Sequence, residues 1–171
     1  GIHCKPYCPG IGPCDENLLV KKIADKLNSK KYHKVSVDAT GHPDMQIEGS
    51  WALEFKIVRP YNDNGKEADN WSVKLIHPYE GNKSMLGDCL KLLNLKLPLQ
   101  EKKGVIALAF QPNDNPPETQ VLPLIEVFEL IAKKIMRIKL GPRITENRKN
   151  LIHPVHQQII VYGWEVKGRS T

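Results

Sequence analysis

The sequence predicts an α/β domain in which a mixed β-sheet is flanked by helices. Apolar residues recur with a period near 3.6 in some segments and with a period of two in others, so both element types are present. The order helix, strand, strand, strand, helix, strand, helix, strand sets consecutive strands early and alternating elements later, the pattern of a mixed sheet with helical cover. A chain of 171 residues suits one domain with a substantial core. With 40% hydrophobic and 26% charged residues it falls outside the collagenous, disordered and membrane classes. The longest aliphatic and aromatic run, Val105–Phe110, is far too short to span a bilayer, and no membrane partner is expected.

The first helix is expected at about 15–29. Asp15 is a suitable N-cap, Glu16 favours the positive helix start, and Leu19, Val20, Ile23, Ala24 and Leu27 form one stripe. Tyr32–Val37 alternates and reads as a strand. Gly41-His42-Pro43-Asp44 is a turn, and Met45–Glu48 and Trp51–Val58 read as strands joined at Gly49-Ser50. In the second of these, Trp51, Leu53, Phe55 and Ile57 share one face, and Ala52, Glu54 and Lys56 the other. Residues 59–83 are a long polar loop with a short strand expected at Trp71–Ile76. Met85, Leu86, Cys89, Leu90 and Leu93 mark a helix at about 85–95, capped by Ser84. Val105–Phe110 is apolar on both faces, as in the middle of a sheet. Leu124, Val127, Phe128, Ile131, Ile135 and Ile138 predict one long helix ending near Gly141-Pro142, and Ile159–Val166 a last strand.

Residues 1–14 form a Pro/Gly/Cys arm before a single domain at 15–171. His3, Cys4, Cys8 and Cys14 carry soft ligands, but their spacing matches no common zinc-finger pattern, so structural Zn²⁺ is not the expectation; a reduced intracellular, cytoplasmic arm is. The chain starts at Gly1 rather than Met, as a processed or excised chain would. Its net charge of +6 permits phosphate-bearing partners.

The chemistry concentrates in Pro43–Lys56. If the chain turns back at Gly49-Ser50, residues whose numbers sum to about 99 face each other. Asp44 then falls opposite Phe55, beside Glu54 or Lys56, and Glu54 and Lys56 share a face by the period of two. Two carboxylates and an ammonium group suit metal-assisted phosphodiester hydrolysis. Asp44, Glu54 and the backbone carbonyl of Phe55 are the hard oxygen donors that Mg²⁺ takes, with Mn²⁺ as a substitute. Lys56 stays cationic beside them and neutralises charge on the phosphorane. Of three acid-x-Lys triplets, Glu54–Lys56, Glu101–Lys103 and Glu165–Lys167, the first alone lies in an alternating strand one hairpin after Pro-Asp.

Pro43-Asp44 followed by Glu54-Phe55-Lys56 resembles the signature of the PD-(D/E)XK nuclease superfamily, which includes restriction endonucleases, repair nucleases and junction resolvases. The resemblance covers about two-thirds of the chain, residues 15–110. It implies a restriction endonuclease-like αβββαβ core, with the last helix and strand as additions. It also implies Mg²⁺-dependent cleavage of nucleic acid, DNA first, in restriction, defence or repair, with Asp44, Glu54 and Lys56 as catalytic residues. An acidic residue on the first helix often joins the metal site in this group, and Glu16 is the matching position. The helix after the Glu-x-Lys strand often adds a polar residue, for which Lys83, Ser84 and Asp88 are the candidates. A homodimer is expected if both strands of a duplex are cut. The competing reading is an inactive member of the same fold that binds nucleic acid or protein.

Nucleic-acid contacts are expected from Lys83 and Ser84 at a helix start, from Asn70, Trp71 and Lys74 in the long loop, and from the basic stretch Lys133, Lys134, Arg137, Lys139, Arg143, Arg148 and Lys149. His153 and His156 read as loop histidines without a role.

Overall fold

The computed structural model describes residues 15–30, 34–38, 43–77, 83–96, 101–114 and 116–169. The arm at 1–14, with its candidate zinc ligands, lies outside them. Asp15 caps the first helix, α1 (Glu16–Asn28), by accepting from the N–H groups of Asn17 at 2.9 Å and Leu18 at 3.3 Å. Three strands follow: β1 (Val35–Val37), β2 (Met45–Ile47) and β3 (Trp51–Val58). A short helix α2 (Val73–Ile76), a longer helix α3 (Met85–Asn94) and strand β4 (Lys102–Gln111) complete the first two-thirds. Helix α4 (Val121–Leu130) then leads to β5 (Ile138–Leu140), β6 (Ile144–Arg148) and β7 (Gln158–Arg169).

The sheet has seven strands in the order β1-β2-β3-β4-β7-β5, with β6 also paired to β7. It is mixed: β3 and β4 run parallel, and every other pair is antiparallel. The parallel step needs a crossover, which the segment bearing α2 and α3 supplies. Each face of the sheet carries its own core. Leu19, Val20 and Ala24 of α1 pack with Phe55, Leu108 and Phe110 on one side. On the other, α3 and α4 cover Ala52, Val58, Val105, Ala107, Tyr162 and Trp164. Among the described residues, no helix is long and apolar enough to cross a membrane.

Three expectations require correction. The segment Trp71–Ile76 holds the four-residue helix α2 rather than a strand, with Leu75 buried. In so short an apolar run the two periods cannot be told apart. The long helix predicted to reach Gly141 is α-helical only to Leu130 and widens into a π-helical turn at Ile131–Ile135. Arg137 takes a left-handed φ of 55°, and Ile138 is buried in β5 against β7. The C-terminal addition is therefore a helix and three strands, not a helix and one strand.

His153 and His156 are not idle loop residues. Both are buried, and the Nε2 of His156 lies 3.4 Å from the Asp63 carboxylate, which also pairs with Arg59 at 3.4 Å. His153 Nδ1 accepts from the N–H groups of Val155 and His156, which leaves its proton on Nε2, facing Asp63 at 4.0 Å. The cluster fastens the chain leaving β3 to the β6–β7 connection.

Two outcomes follow. At Gly104 an added Cβ would come within 3.0 Å of Leu53 Cδ2 and 3.2 Å of the Trp164 carbonyl. Gly104→Ala is expected to cost about 1–3 kcal/mol in urea denaturation. Burial, assisted by His153, lowers the His156 pKa from 6.5 to about 4. The unfolded chain thus binds a proton that the folded chain refuses, so the His156 contribution to stability is lost as pH falls from 6.5 to about 4. Melting curves across that window should show a steeper acid decline for wild type than for His156→Phe.

Candidate active site

The site forms where β2 ends and β3 continues. The β2–β3 register pairs Met45 with Leu53 and Ile47 with Trp51, so Asp44 stands level with Glu54, one residue from the expected partner Phe55. The difference comes from the turn: Ser50 N–H bonds the Ile47 carbonyl at 2.9 Å, and Gly49 takes the left-handed φ of 68° between them. Among the described residues, the outer edge of β3 has no strand beside it beyond Leu53. Its backbone N–H groups bond carboxylates instead: Phe55 N–H donates to Asp44 Oδ2 at 2.8 Å, and Ile57 N–H to Glu16 Oε2 at 2.9 Å. In a strand the N–H and C=O of one residue point the same way, so the Phe55 carbonyl also faces this edge.

The register of β3 on β4 turns Glu54 and Lys56 toward α3, on the face shared with Val105 and Ala107. Both are buried, at 2% and 6% exposure, which an unpaired charge would not tolerate. Lys56 Nζ lies 3.1 Å from Asp88 Oδ2 on α3 and 3.3 Å from Glu16 Oε1 on α1. Lys91, one turn along α3, holds the other Asp88 oxygen at 3.0 Å. Elements from both faces of the sheet thus converge on one ammonium group. Burial alone would depress the Lys56 pKa, but Asp88 and Glu16 outweigh it and hold it above its ordinary value.

Glu54 behaves in the opposite way. Burial, then the charges of Asp44 and Asp88, push its pKa from 4.5 up to about 9, and only Lys91 opposes them. It is therefore protonated at neutral pH and donates to Asp44. Four carboxylates, Glu16, Asp44, Glu54 and Asp88, face two ammonium groups, Lys56 and Lys91. The cluster is short of positive charge, and the proton on Glu54 makes up part of the deficit.

Among the described residues, no three His, Cys, Asp or Glu side chains are arranged to hold a metal ion as they stand. The donor chemistry nevertheless fits a hard divalent cation: two adjacent carboxylates share a proton where a cation could stand, beside a carbonyl facing the same edge.

Asp44, Glu54, Lys56 and the first-helix acid Glu16 are brought together, and Asp88 joins them. Ser84 does not. Its hydroxyl is occupied in capping α3, accepting from Gly87 N–H at 3.1 Å and donating to the His77 carbonyl. Lys83 and Lys74 are exposed outside this network. Lys133 and Arg143 pair with Glu129 at 3.7 and 3.8 Å, and Arg137 is exposed in the turn before β5. The basic stretch is thus spread over a helical turn, two strands and the loops beside them. Sequence reasoning missed Lys91. Its signal was Asp88, an acid inside the buried stripe of α3, with a lysine three positions on.

Comparison of the chain with protein-family models, curated proteins and solved structures gives no match.

Because Glu54 is protonated in the folded chain and ionised in the unfolded chain above pH 4.5, its contribution to stability falls as pH rises from 4.5 to about 9. Glu54→Gln keeps a neutral hydrogen-bonding group without the titration. Its melting temperature should gain on wild type steadily across this window, whereas parallel curves would mean that Glu54 is ionised in the fold.

Proposed function

We propose that this chain is a divalent-metal-dependent nuclease, cleaving phosphodiester bonds in nucleic acid, DNA first, with a PD-(D/E)XK-like site. The observation that carries the reading is the buried Lys56, held between Asp88 and Glu16 beside a carboxylate pair short of positive charge. A purely structural ion pair needs no second pair of acids at its side. The order helix, three strands, helix, strand, with the short α2 inserted ahead of the second of these helices, supports the same reading.

Asp44, Glu54 and the Phe55 carbonyl would hold Mg²⁺ or Mn²⁺. The ion supplies polarisation of the phosphate and a bound water of lowered pKa. The remaining work belongs to the chain. Glu54 would have to lose its proton to hold a cation, so cation affinity would rise with pH toward about 9. Lys56 keeps its charge and offsets the negative charge that grows on the phosphoryl oxygens. Asp88 and Glu16 position that ammonium group, and Lys91 holds the other Asp88 oxygen in place.

The second reading, an inactive binding module of the same fold, is favoured by one observation: Glu54 and Asp44 satisfy each other through a proton, without a metal. Cleavage of supercoiled plasmid, linear duplex and single-stranded DNA with Mg²⁺, Mn²⁺ or EDTA separates the two. Wild type should cut with either ion and not with EDTA, and Glu54→Gln and Lys56→Met should each lose about 10²-fold or more. No cutting and no rise in melting temperature with either ion would favour the binding module. Cutting that survives both substitutions would remove the site from these residues.

A further inference from the structure

The two edges of the sheet are finished differently. At β1 the Asn28 side chain occupies the backbone of Val35, accepting from its N–H at 2.9 Å and donating to its carbonyl at 3.0 Å. That amide mimics a neighbouring strand and blocks a real one. At the other side β6 pairs with β7 alone among the described residues, in unbroken register from Ile144↔Gly163 to Arg148↔Ile159. All five β6 residues are exposed, Ile144 to 68%. An open, regular strand edge is a template for a further strand.

The side chains select which strand. Glu146 and Arg148 lie two positions apart and so point to one face. In an antiparallel pair of identical strands centred on Asn147, each Glu146 falls opposite Arg148 of the other copy, twice by symmetry. Centring on Glu146 or on Arg148 would set like charges opposite each other, which is destabilising. Among the described residues these two side chains form an ion pair only with each other, at 3.5 Å and largely in solvent. Arg148 also donates to the Asn147 carbonyl at 3.0 Å, covering an acceptor that a paired strand would use. Both interactions are weak and exchangeable.

We infer that β6 is the pairing edge for a second copy of this chain, joined antiparallel about a two-fold axis at Asn147 and fixed by reciprocal Glu146–Arg148 ion pairs. Two five-residue strands bury less than a standard protein interface, so the association is weak and concentration-dependent. It stands independently of the nuclease reading.

Sedimentation equilibrium from micromolar to millimolar protein tests it, with circular dichroism verifying the fold of each variant. Wild type should rise from 19.4 kDa toward twice that mass, less so at high salt. Glu146→Arg and Arg148→Glu should each remain monomeric. An equimolar mixture of the two should associate again, as should the double exchange within one chain. A wild type that stays at 19.4 kDa throughout, single variants that associate like wild type, or a mixture that fails to recover would each overturn the inference.

Discussion

Strand β3 outruns its neighbour β2, and the protein is organised around the consequence. Past Leu53 the backbone of β3 continues into the interior with N–H groups that need acceptors. The chain supplies them as carboxylates, Asp44 from the turn before β2 and Glu16 from the first turn of α1. Half-buried carboxylates at a sheet edge draw positive charge in turn. Lys56, from the same strand, provides it, and Asp88 from the opposite layer completes its coordination. One missing strand pairing thus accounts for the charged cluster between the two apolar cores.

That cluster also joins parts of the molecule that the apolar cores keep apart. The α1 layer and the α3 layer meet separate faces of the sheet, with few side chains in common. Through Lys56 the first turns of α1 and α3 are held within ion-pair distance of one atom. Removing a single partner would leave a buried charge without compensation, far more costly than losing an exposed pair. Glu54 keeps its proton because burial, then the charges of Asp44 and Asp88, disfavour its ionised form.

Much of this was legible in the residues themselves. The helix cap at Asp15, the alternation through Trp51–Val58 and the apolar stripe of Met85–Asn94 announce α1, β3 and α3, because each element meets a core on a defined face. The same logic explains what was hidden. In β6 every residue is exposed, so no alternation marks the strand. Ile138 continues a helical spacing yet belongs to β5, because pairing with β7 buries it better than another helical turn would. His153 and His156 look like loop residues, since nothing local to them shows that Asp63, some ninety positions earlier in the chain, lies against them.

By itself the sequence determined which residue types share a strand face or a helix stripe, for these follow from the periods 2 and 3.6. It therefore determined that Glu54 and Lys56 lie together and that Asp44 lies near them. Only the tertiary structure decided what those groups became. The ending of β2 exposed the strand edge that Asp44 and Glu16 fill, and the packing of α3 brought Asp88 and Lys91 against the same face. Protonation states depend on burial and on neighbours through space. For that reason the charged form of Lys56 was legible from the carboxylates beside it, whereas the neutral form of Glu54, two residues away in the same strand, was not.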